Sequence, residues 1–391
     1  MEKSKTKILI IHTKYQEKGG EDIAVENEIK FLKDNFITNE IVTSNHGNFL
    51  TLALLLIIRS NFLINRILKR ELADFKPDFV YIHNTWFKIG LKIFDILDYH
   101  NIKYFIKLHN FRYDCTHTFS LKIHFQNKDF CMSCGTYKKN NMRFNKYFAN
   151  SYLRSFFVIL YGRKYIEILK NIKTNIIVLT EFHKNYLISK YSLEANKISV
   201  FPNFISQDSK NNFEVLNEDY IIYAGRISSE KGVDELIGSF INANIENLSL
   251  YIVGNGPQEK FLNKKYENNK VKFFGYQDHK NTLNLINNAK AVITNTKMNE
   301  GQPTLLCEAS LLSVPAIFPR NGGIEEFFPK NYPLSFSQSH LKNLEHVLGQ
   351  LSDYDLKDLG NKNFDFITKK LNEDDLSKQL LEIFNFNNSK M

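Results

Sequence analysis

Short apolar runs that close on polar residues, each followed by a stretch of helical periodicity, recur along this chain and leave few architectures open. Lys7 to His12 is such a run, followed by a turn at Gly19 and Gly20 and an amphipathic helix through Ile23, Glu26, Ile29 and Leu32. Phe79 to Ile82 runs into His83 and Asn84, Tyr104 to Leu108 into His109 and Asn110, and Ile176 to Leu179 into Thr180 and Glu181. A polar segment, Ser206 to Asn217, then reads as a linker. Beyond it the cycle restarts, with strands at Tyr220 to Ala224, Ser249 to Val253, Val271 to Phe274, Ala291 to Thr294 and Ala316 to Phe318. Helices are predicted from Val233 and over Pro303 to Leu312. Such alternation builds parallel sheets covered by helices on both faces, and 391 residues exceed what one hydrophobic core organises. The expectation is an α/β chain of two Rossmann-like, doubly wound domains, residues 1–205 and 206–372. A terminal helix in 373–391, amphipathic from Asp374 to Phe384, is placed to pack back on the first domain.

Charge divides along the same boundary. Lys and Arg outnumber Asp and Glu by 31 to 18 in residues 1–205, but stand at 20 to 24 in residues 206–391. A basic half suits nucleic acid, an anionic membrane surface or an acidic substrate, and charge alone does not choose among them. Met1 to Lys7 are polar and the run after them has only strand length, so no secretory signal is read and a cytoplasmic location is expected. The longest apolar stretch, Leu50 to Ile58, falls well short of the roughly 20 residues of a membrane span. It reads as a buried helix in preference to a patch touching lipid, because its spacing gives no clean polar face. Four cysteines in a cytoplasmic chain argue against a disulfide framework.

In an open parallel sheet, ligands collect beyond the carboxyl ends of the strands, which is where two constellations fall. The first is Ala224 to Gly232, in which Arg226 ends a strand and Lys231 precedes a helix, so two cations and backbone N–H groups can meet a phosphate. The second is Glu300 to Glu308. Pro303 suits the first turn of a helix, which sets the helix start beside Gly301 and Gln302. Thr304 and Glu308 share a helix face, while Leu305 and Leu306 can pack toward the sheet. Glu300 and Glu308 can then face one cleft and accept hydrogen bonds from sugar and ribose hydroxyls. Together these groups describe a site for something both phosphorylated and polyhydroxylated. The turn Gly254 to Pro257 lies at the same edge but is no dinucleotide fingerprint, since Glu259 takes the place of the third glycine. Asp353-Tyr354-Asp355 lies on a polar helical stretch and reads as a solvated face, so no catalytic metal is predicted.

Arg226 and Lys231, Gly254 to Pro257, Glu300-x7-Glu308 and Gly322 to Glu326 occur in an order and spacing that resemble the family 4 (group 1) retaining glycosyltransferases, which have the GT-B fold of two domains facing a central cleft. The first half resembles them more loosely through Gly19-Gly20-Glu21-Asp22, Leu108 to Arg112 and Pro202-Asn203, where Phe204 stands in place of a common glycine. The resemblance implies that Arg226 and Lys231 neutralise the diphosphate of a UDP- or GDP-sugar. It gives Glu300 hydroxyls of the donor sugar, with N–H groups of Gly301, Gln302, Thr304 and Leu305 beside Pro303 nearby. Glu308 would accept from the ribose, and Gly275-Tyr276-Gln277 would contact the base. Gly254 would lie near the donor, Gly19 and Gly20 would let backbone approach the phosphate, and His109 would face the reacting sugar or the acceptor. It further implies no cofactor beyond the donor and a glycan or lipid-linked glycan as acceptor in surface polysaccharide synthesis. With a lipid-linked acceptor, the basic half would bring the protein to the inner face of the membrane. Some members carry cysteines like Cys115, Cys131 and Cys134 with a fourth, and three thiolates could hold a structural zinc. Tyr147 stands at the fourth position here, with His117 or His124 as substitutes, and reduced thiols are the favoured reading.

Three rivals stay open at this stage. One is another GT-B chemistry such as a sugar-nucleotide epimerase, and a second is a pseudoenzyme that binds sugar nucleotides without turnover. The third is a basic nucleic-acid-binding protein, disfavoured because no recognition module is present.

Overall fold

A computed structural model of the chain describes residues 5–15, 20–45, 54–55, 57–111, 113, 151–171, 173–205, 218–266, 270–338 and 342–386. Among these, one compact unit holds the residues up to Phe204 and again from Ser377, and a second holds Ile205–Leu376.

The first unit is a parallel sheet of β1 (Lys7–Lys14), β2 (Ile37–Ser44), β3 (Phe79–Asn84), β4 (Tyr104–Leu108), β5 (Thr174–Val178) and β6 (Ile198–Val200), in the order β2-β1-β3-β4-β5-β6. Every residue of β3 and β4 is buried, as in a sheet covered on both faces. This is why the two strands are mostly apolar, with Lys107 a buried exception. Helix α1 (Gly20–Asn35) follows β1, with Glu21 and Asp22 in its first turn and Lys33 in its last, each sign matching the helix dipole. β2 is an edge strand with a largely exposed, polar surface, so its sequence ITNEIVTS has no apolar run to betray it.

Helix α2 (Phe62–Asp74) buries Ile64, Leu68 and Leu72, spaced by four, into this core. With that inward face filled, the apolar run before it is not needed there. The sequence places Leu50 to Ile58 in a buried helix; of its described residues, Leu54, Ile57 and Ile58 are instead exposed. Among the described residues, no helix is long and apolar enough to cross a membrane. The remaining helices of the unit are α3 (Lys92–Tyr99), α4 (Tyr152–Lys170) and α5 (Glu181–Tyr191).

The second unit repeats the plan with β7 (Tyr220–Ala224), β8 (Ser249–Val253), β9 (Val271–Gly275), β10 (Ala291–Ile293), β11 (Ala316–Pro319) and β12 (Ser335–Phe336), all parallel, in the order β12-β11-β10-β7-β8-β9. Its helices are α6 (Val233–Ala243), α7 (Glu259–Tyr266), α8 (His279–Asn287), α9 (Thr304–Leu311), α10 (Lys342–Gly349) and α11 (Leu356–Lys370). Pro303 caps α9 from outside at φ −82°, one position earlier than its expected place within the first turn. Asp355, of the discounted Asp-Tyr-Asp triplet, is a helix cap: its carboxylate accepts from Asp358 N at 3.0 Å. The last helix, α12 (Glu373–Phe386), delivers Phe384 into the first unit. Its ring lies 4.5 Å from Phe79 and 5.1 Å from Phe105, and its carbonyl accepts from Lys103 Nζ at 3.3 Å.

A buried ion pair that the sequence did not announce holds the middle of the first unit. Lys107 of β4 meets Glu28 of α1 at 2.7 Å with both side chains fully buried, and Tyr81 of β3 donates to the other Glu28 oxygen at 2.6 Å. Lys107 also donates to the Pro202 carbonyl at 3.4 Å and lies 4.6 Å from the centroid of the Phe201 ring. Burial lowers the Lys107 ammonium from its ordinary value, and Glu28 opposes that shift. Phe204, in place of the glycine expected there, stacks on Phe31 of α1 at 4.6 Å, so the segment leaving β6 is packed down onto the helix. Removing one member of a buried pair strands the other charge, so Lys107→Met is expected to cost about 3–5 kcal/mol in chemical denaturation. The double replacement Glu28→Gln/Lys107→Met should recover much of that loss, because no charge is then left buried alone.

Candidate functional site

In the second sheet, chain order reverses between β7 and β10, so their following loops part to opposite faces and leave a crevice at the carboxyl edge. Both sequence constellations start there. The loop after β7 carries Gly225, Arg226 and Lys231, and the Tyr223 hydroxyl holds its turn by donating to the Arg226 carbonyl at 2.7 Å. The loop after β10 carries Asn295 to Gln302. The two are joined backbone to backbone: Lys297 N donates to the Glu230 carbonyl at 2.9 Å, and the Asn295 side chain donates to the Gly232 carbonyl at 3.1 Å. Lys297 pairs with Glu235 on α6. On the far side, Gly323 N donates to the Glu300 carbonyl at 2.9 Å and the Asn321 amide to the Thr296 carbonyl at 2.9 Å. Gly322 takes φ +66°, and a Cβ there would sit 2.3 Å from the Glu300 carbonyl oxygen. Only glycine permits this contact. Gly254 plays the same part beside the first loop, with φ +127° and a Cβ position 2.0 Å from the Gly225 oxygen.

This framework brings Lys231 and Glu300 together. Lys231 Nζ lies 2.6 Å from Glu300 Oε1, and the Thr296 hydroxyl donates to the same oxygen at 2.8 Å. Burial pushes the Glu300 carboxyl up, but the Lys231 charge and the hydrogen bonds from Lys231 and Thr296 outweigh it and hold the group below the usual carboxylate range. Glu300 is therefore a charged acceptor at neutral pH. Arg226 is exposed on the loop of Lys231, while Gly301 and Gln302, which follow Glu300, are buried. The first turn of α9 presents N–H groups without partners inside the helix, although that of Thr304 is spent on the Gln302 carbonyl at 3.0 Å. Leu305 is half-buried and Cys307 buried; burial pushes the Cys307 thiol well up, which suits packing.

Glu308, one turn into α9, accepts from His279 Nε2 at 3.0 Å. His279 opens α8 directly after the Gly275-Tyr276-Gln277 loop, in which Tyr276 is exposed. Sequence reading passed over His279 because it is joined to Glu308 only across elements. Thr296 was missed for the same reason, its neighbours being four residues apart yet in a loop of no regular period.

The first unit has a separate polar cluster at the carboxyl edge of β1, β3 and β4. His83 Nδ1 and His109 Nε2 are 3.1 Å apart, and His12 Nε2 meets Asp22 Oδ1 at 3.0 Å. The Asn110 amide and the Tyr15 hydroxyl both donate to Glu21 Oε2, at 2.9 and 2.8 Å, which ties the histidine segment to the helix after the glycine turn. Burial, reinforced by the charges of Lys107 and His12, pushes His83 and His109 well below the ordinary histidine value. Both are neutral imidazoles, so one nitrogen of the pair donates and the other accepts. Gly20 begins α1; Gly19, Cys115, Cys131 and Cys134 lie outside the described residues.

Residues 204–344 match the family model Glycosyl transferases group 1. A curated relative, the amylovoran biosynthesis glycosyltransferase AmsD of Erwinia amylovora, is 26% identical over 153 residues, 36% of this chain and 42% of AmsD. The alignment thus spans less than half of that relative. Among solved structures, sucrose-phosphate synthase of Thermosynechococcus elongatus superposes with a TM-score of 0.72 at 14% identity, over 99% of this chain and 100% of that one. HepE of Anabaena, solved with UDP and glucose, gives 0.68 at 13% identity, over 97% and 99%. The fold is therefore that of the GT-B glycosyltransferases, two parallel α/β units in one chain.

Burial also holds His183 of α5 down to about 3, where it stacks on Phe111 and accepts or donates at 2.6 Å with the Tyr113 hydroxyl. A histidine lowered on folding binds its proton more tightly in the unfolded chain, so its penalty is absent above about pH 6.5 and grows as pH falls below it. His83, His109 and His183 together should steepen acid destabilisation by up to about 4 kcal/mol per pH unit, reached a unit or more below that point. Urea melts at stepped pH should show His183→Gln removing about a third of the slope.

Proposed function

We propose that the chain is a retaining glycosyltransferase that moves a sugar from a UDP- or GDP-sugar to a glycan or lipid-linked glycan acceptor in surface polysaccharide synthesis. The observation that carries this reading is the Lys231–Glu300–Thr296 cluster at the switch point of the second sheet, next to the start of α9. It sets a cation, oriented amides and a charged acceptor where a phosphate and its sugar hydroxyls would lie together. The match over 204–344, the role of AmsD in amylovoran biosynthesis and the UDP and glucose held by HepE support the same chemistry.

In this reading Lys231 and Arg226 take up the charge that develops on the leaving diphosphate as the anomeric C–O bond breaks. A donor phosphate would draw Lys231 from Glu300, freeing that carboxylate for the sugar hydroxyls. Glu308 takes the ribose hydroxyls and His279 holds its rotamer. The acceptor hydroxyl forms the new C–O bond on the same face, and its proton passes to the departing phosphate, so no protein base and no metal is required. His109, neutral through burial, would offer a hydrogen bond to the reacting sugar or the acceptor. Tyr276 faces the base, while Gly254, Gly301, Gln302, Pro303 and Leu305 shape the donor pocket; Gly19 and Gly20 admit the phosphate.

A thermal-shift panel of nucleotide sugars tests the donor. A true donor at about 100 times its dissociation constant adds about 2.7 kcal/mol, and no shift with any of them would end the assignment. Lys231→Ala and Glu300→Gln should each lower kcat by roughly 10² to 10³, the loss usual for one group that stabilises developing charge or grips the reacting sugar. His279→Ala, acting through Glu308, should raise the donor KM severalfold with kcat little changed, as uniform binding is lost.

A further inference from the structure

Among the described residues, the outward face of α2 and of residues 57–60 before it is left uncovered, and its composition is one-sided. Phe62 and Leu63 are 82% and 63% exposed, and Leu54, Ile57 and Ile58 just upstream are exposed as well. At about 100° per residue, Phe62, Leu63, Arg66, Lys69 and Arg70 fall within roughly 120° of arc, opposite the buried Ile64, Leu68 and Leu72. Arg59, Arg66, Lys69 and Arg70 are all exposed. No Asp or Glu occurs between Glu40 and Glu71, and Glu71 itself is engaged by the Asn39 amide at 2.6 Å.

This face is firmly mounted. Asn61 caps α2 by accepting from Leu63 N at 3.1 Å and from Ile64 N at 3.4 Å, while its amide donates to the Lys88 carbonyl at 2.8 Å. Leu91 N donates to the Arg59 carbonyl at 2.8 Å. The apolar side chains are therefore held outward by the fold.

We propose that this face of the first unit docks on an anionic lipid bilayer, with Phe62, Leu63, Ile57 and Ile58 entering the headgroup boundary and Arg59, Arg66, Lys69 and Arg70 meeting lipid phosphates. Large apolar groups flanked by cations whose stems lie along the same surface match an interface of that chemistry. A second copy of the chain does not: a two-fold contact would set these cations against one another with no acid in the stretch to offset them. The inference stands on the first unit alone and goes beyond the donor chemistry of the second.

Co-sedimentation of the full chain with phosphatidylcholine vesicles, with and without about 30% phosphatidylglycerol, tests it. Binding is expected only with the anionic lipid and should weaken as salt rises, since surface charge is screened. Arg66→Gln/Lys69→Gln/Arg70→Gln should lower binding about 10²-fold, each cation near such a surface contributing about fivefold. Phe62→Ser/Leu63→Ser should lower it at least tenfold. Both variants should keep the wild-type melting temperature and nucleotide-sugar shift, which reports a folded protein with its donor site intact. The proposal is overturned if wild type ignores anionic vesicles, if either variant sediments like wild type, or if Phe62→Ser/Leu63→Ser acts by dissolving a dimer formed without lipid. Failure of every nucleotide sugar to bind would sink the donor assignment and leave this result untouched.

Discussion

Parallel pairing is the constraint on which the rest of the structure depends. Strands that run the same way must be joined by crossovers, so every carboxyl end in a sheet falls on one edge and every amino end on the other. Loops leaving that edge are brought together whatever their separation in sequence. In the second unit this places a loop at residue 231 beside one at residue 300, and the chain reversal between β7 and β10 opens the space between them. The glycines follow from the same crowding: Gly254 and Gly322 lie where neighbouring backbone comes too close for a side chain.

The two units spend buried charge differently. In the first, Lys107 and Glu28 are sealed in the middle of the sheet and satisfied by Tyr81 and the Pro202 carbonyl, an arrangement that fixes α1 against β3 and β4. In the second, Lys231 and Glu300 are partly open, and each is the other's partner. A pair of that kind keeps both groups charged and aimed while remaining separable by a ligand with a stronger claim on the cation. His279 likewise aims Glu308 one turn along. The pair at the rim is partly open to solvent, whereas the sealed pair serves the fold.

Much of the architecture is legible in the chain because strands buried on both faces are predominantly apolar. Tyr220–Ala224 and Ser249–Val253 are found with the bounds read from the sequence, and Tyr104–Leu108 likewise. The edge strand Ile37–Ser44 escapes because one of its sides faces water, and Ser335–Phe336 because two residues carry no period. Leu54, Ile57 and Ile58, within the apolar run expected to be buried, are exposed for a different reason. An apolar run states only that burial would be favourable, and here the inward positions are already taken by Ile64, Leu68 and Leu72.

Residue type and local spacing settled what this protein has to work with: two α/β units, glycine turns at strand ends, and the cations and carboxylates of the later half. Those properties are local, since strand propensity, helix starts and turn chemistry depend on near neighbours. Which groups meet was decided by tertiary structure. That Glu300 is gripped by Lys231 and Thr296, that Glu308 answers to His279, and that Lys107 finds Glu28 are results of sheet order and register, which join residues the chain itself keeps 4 to 79 positions apart.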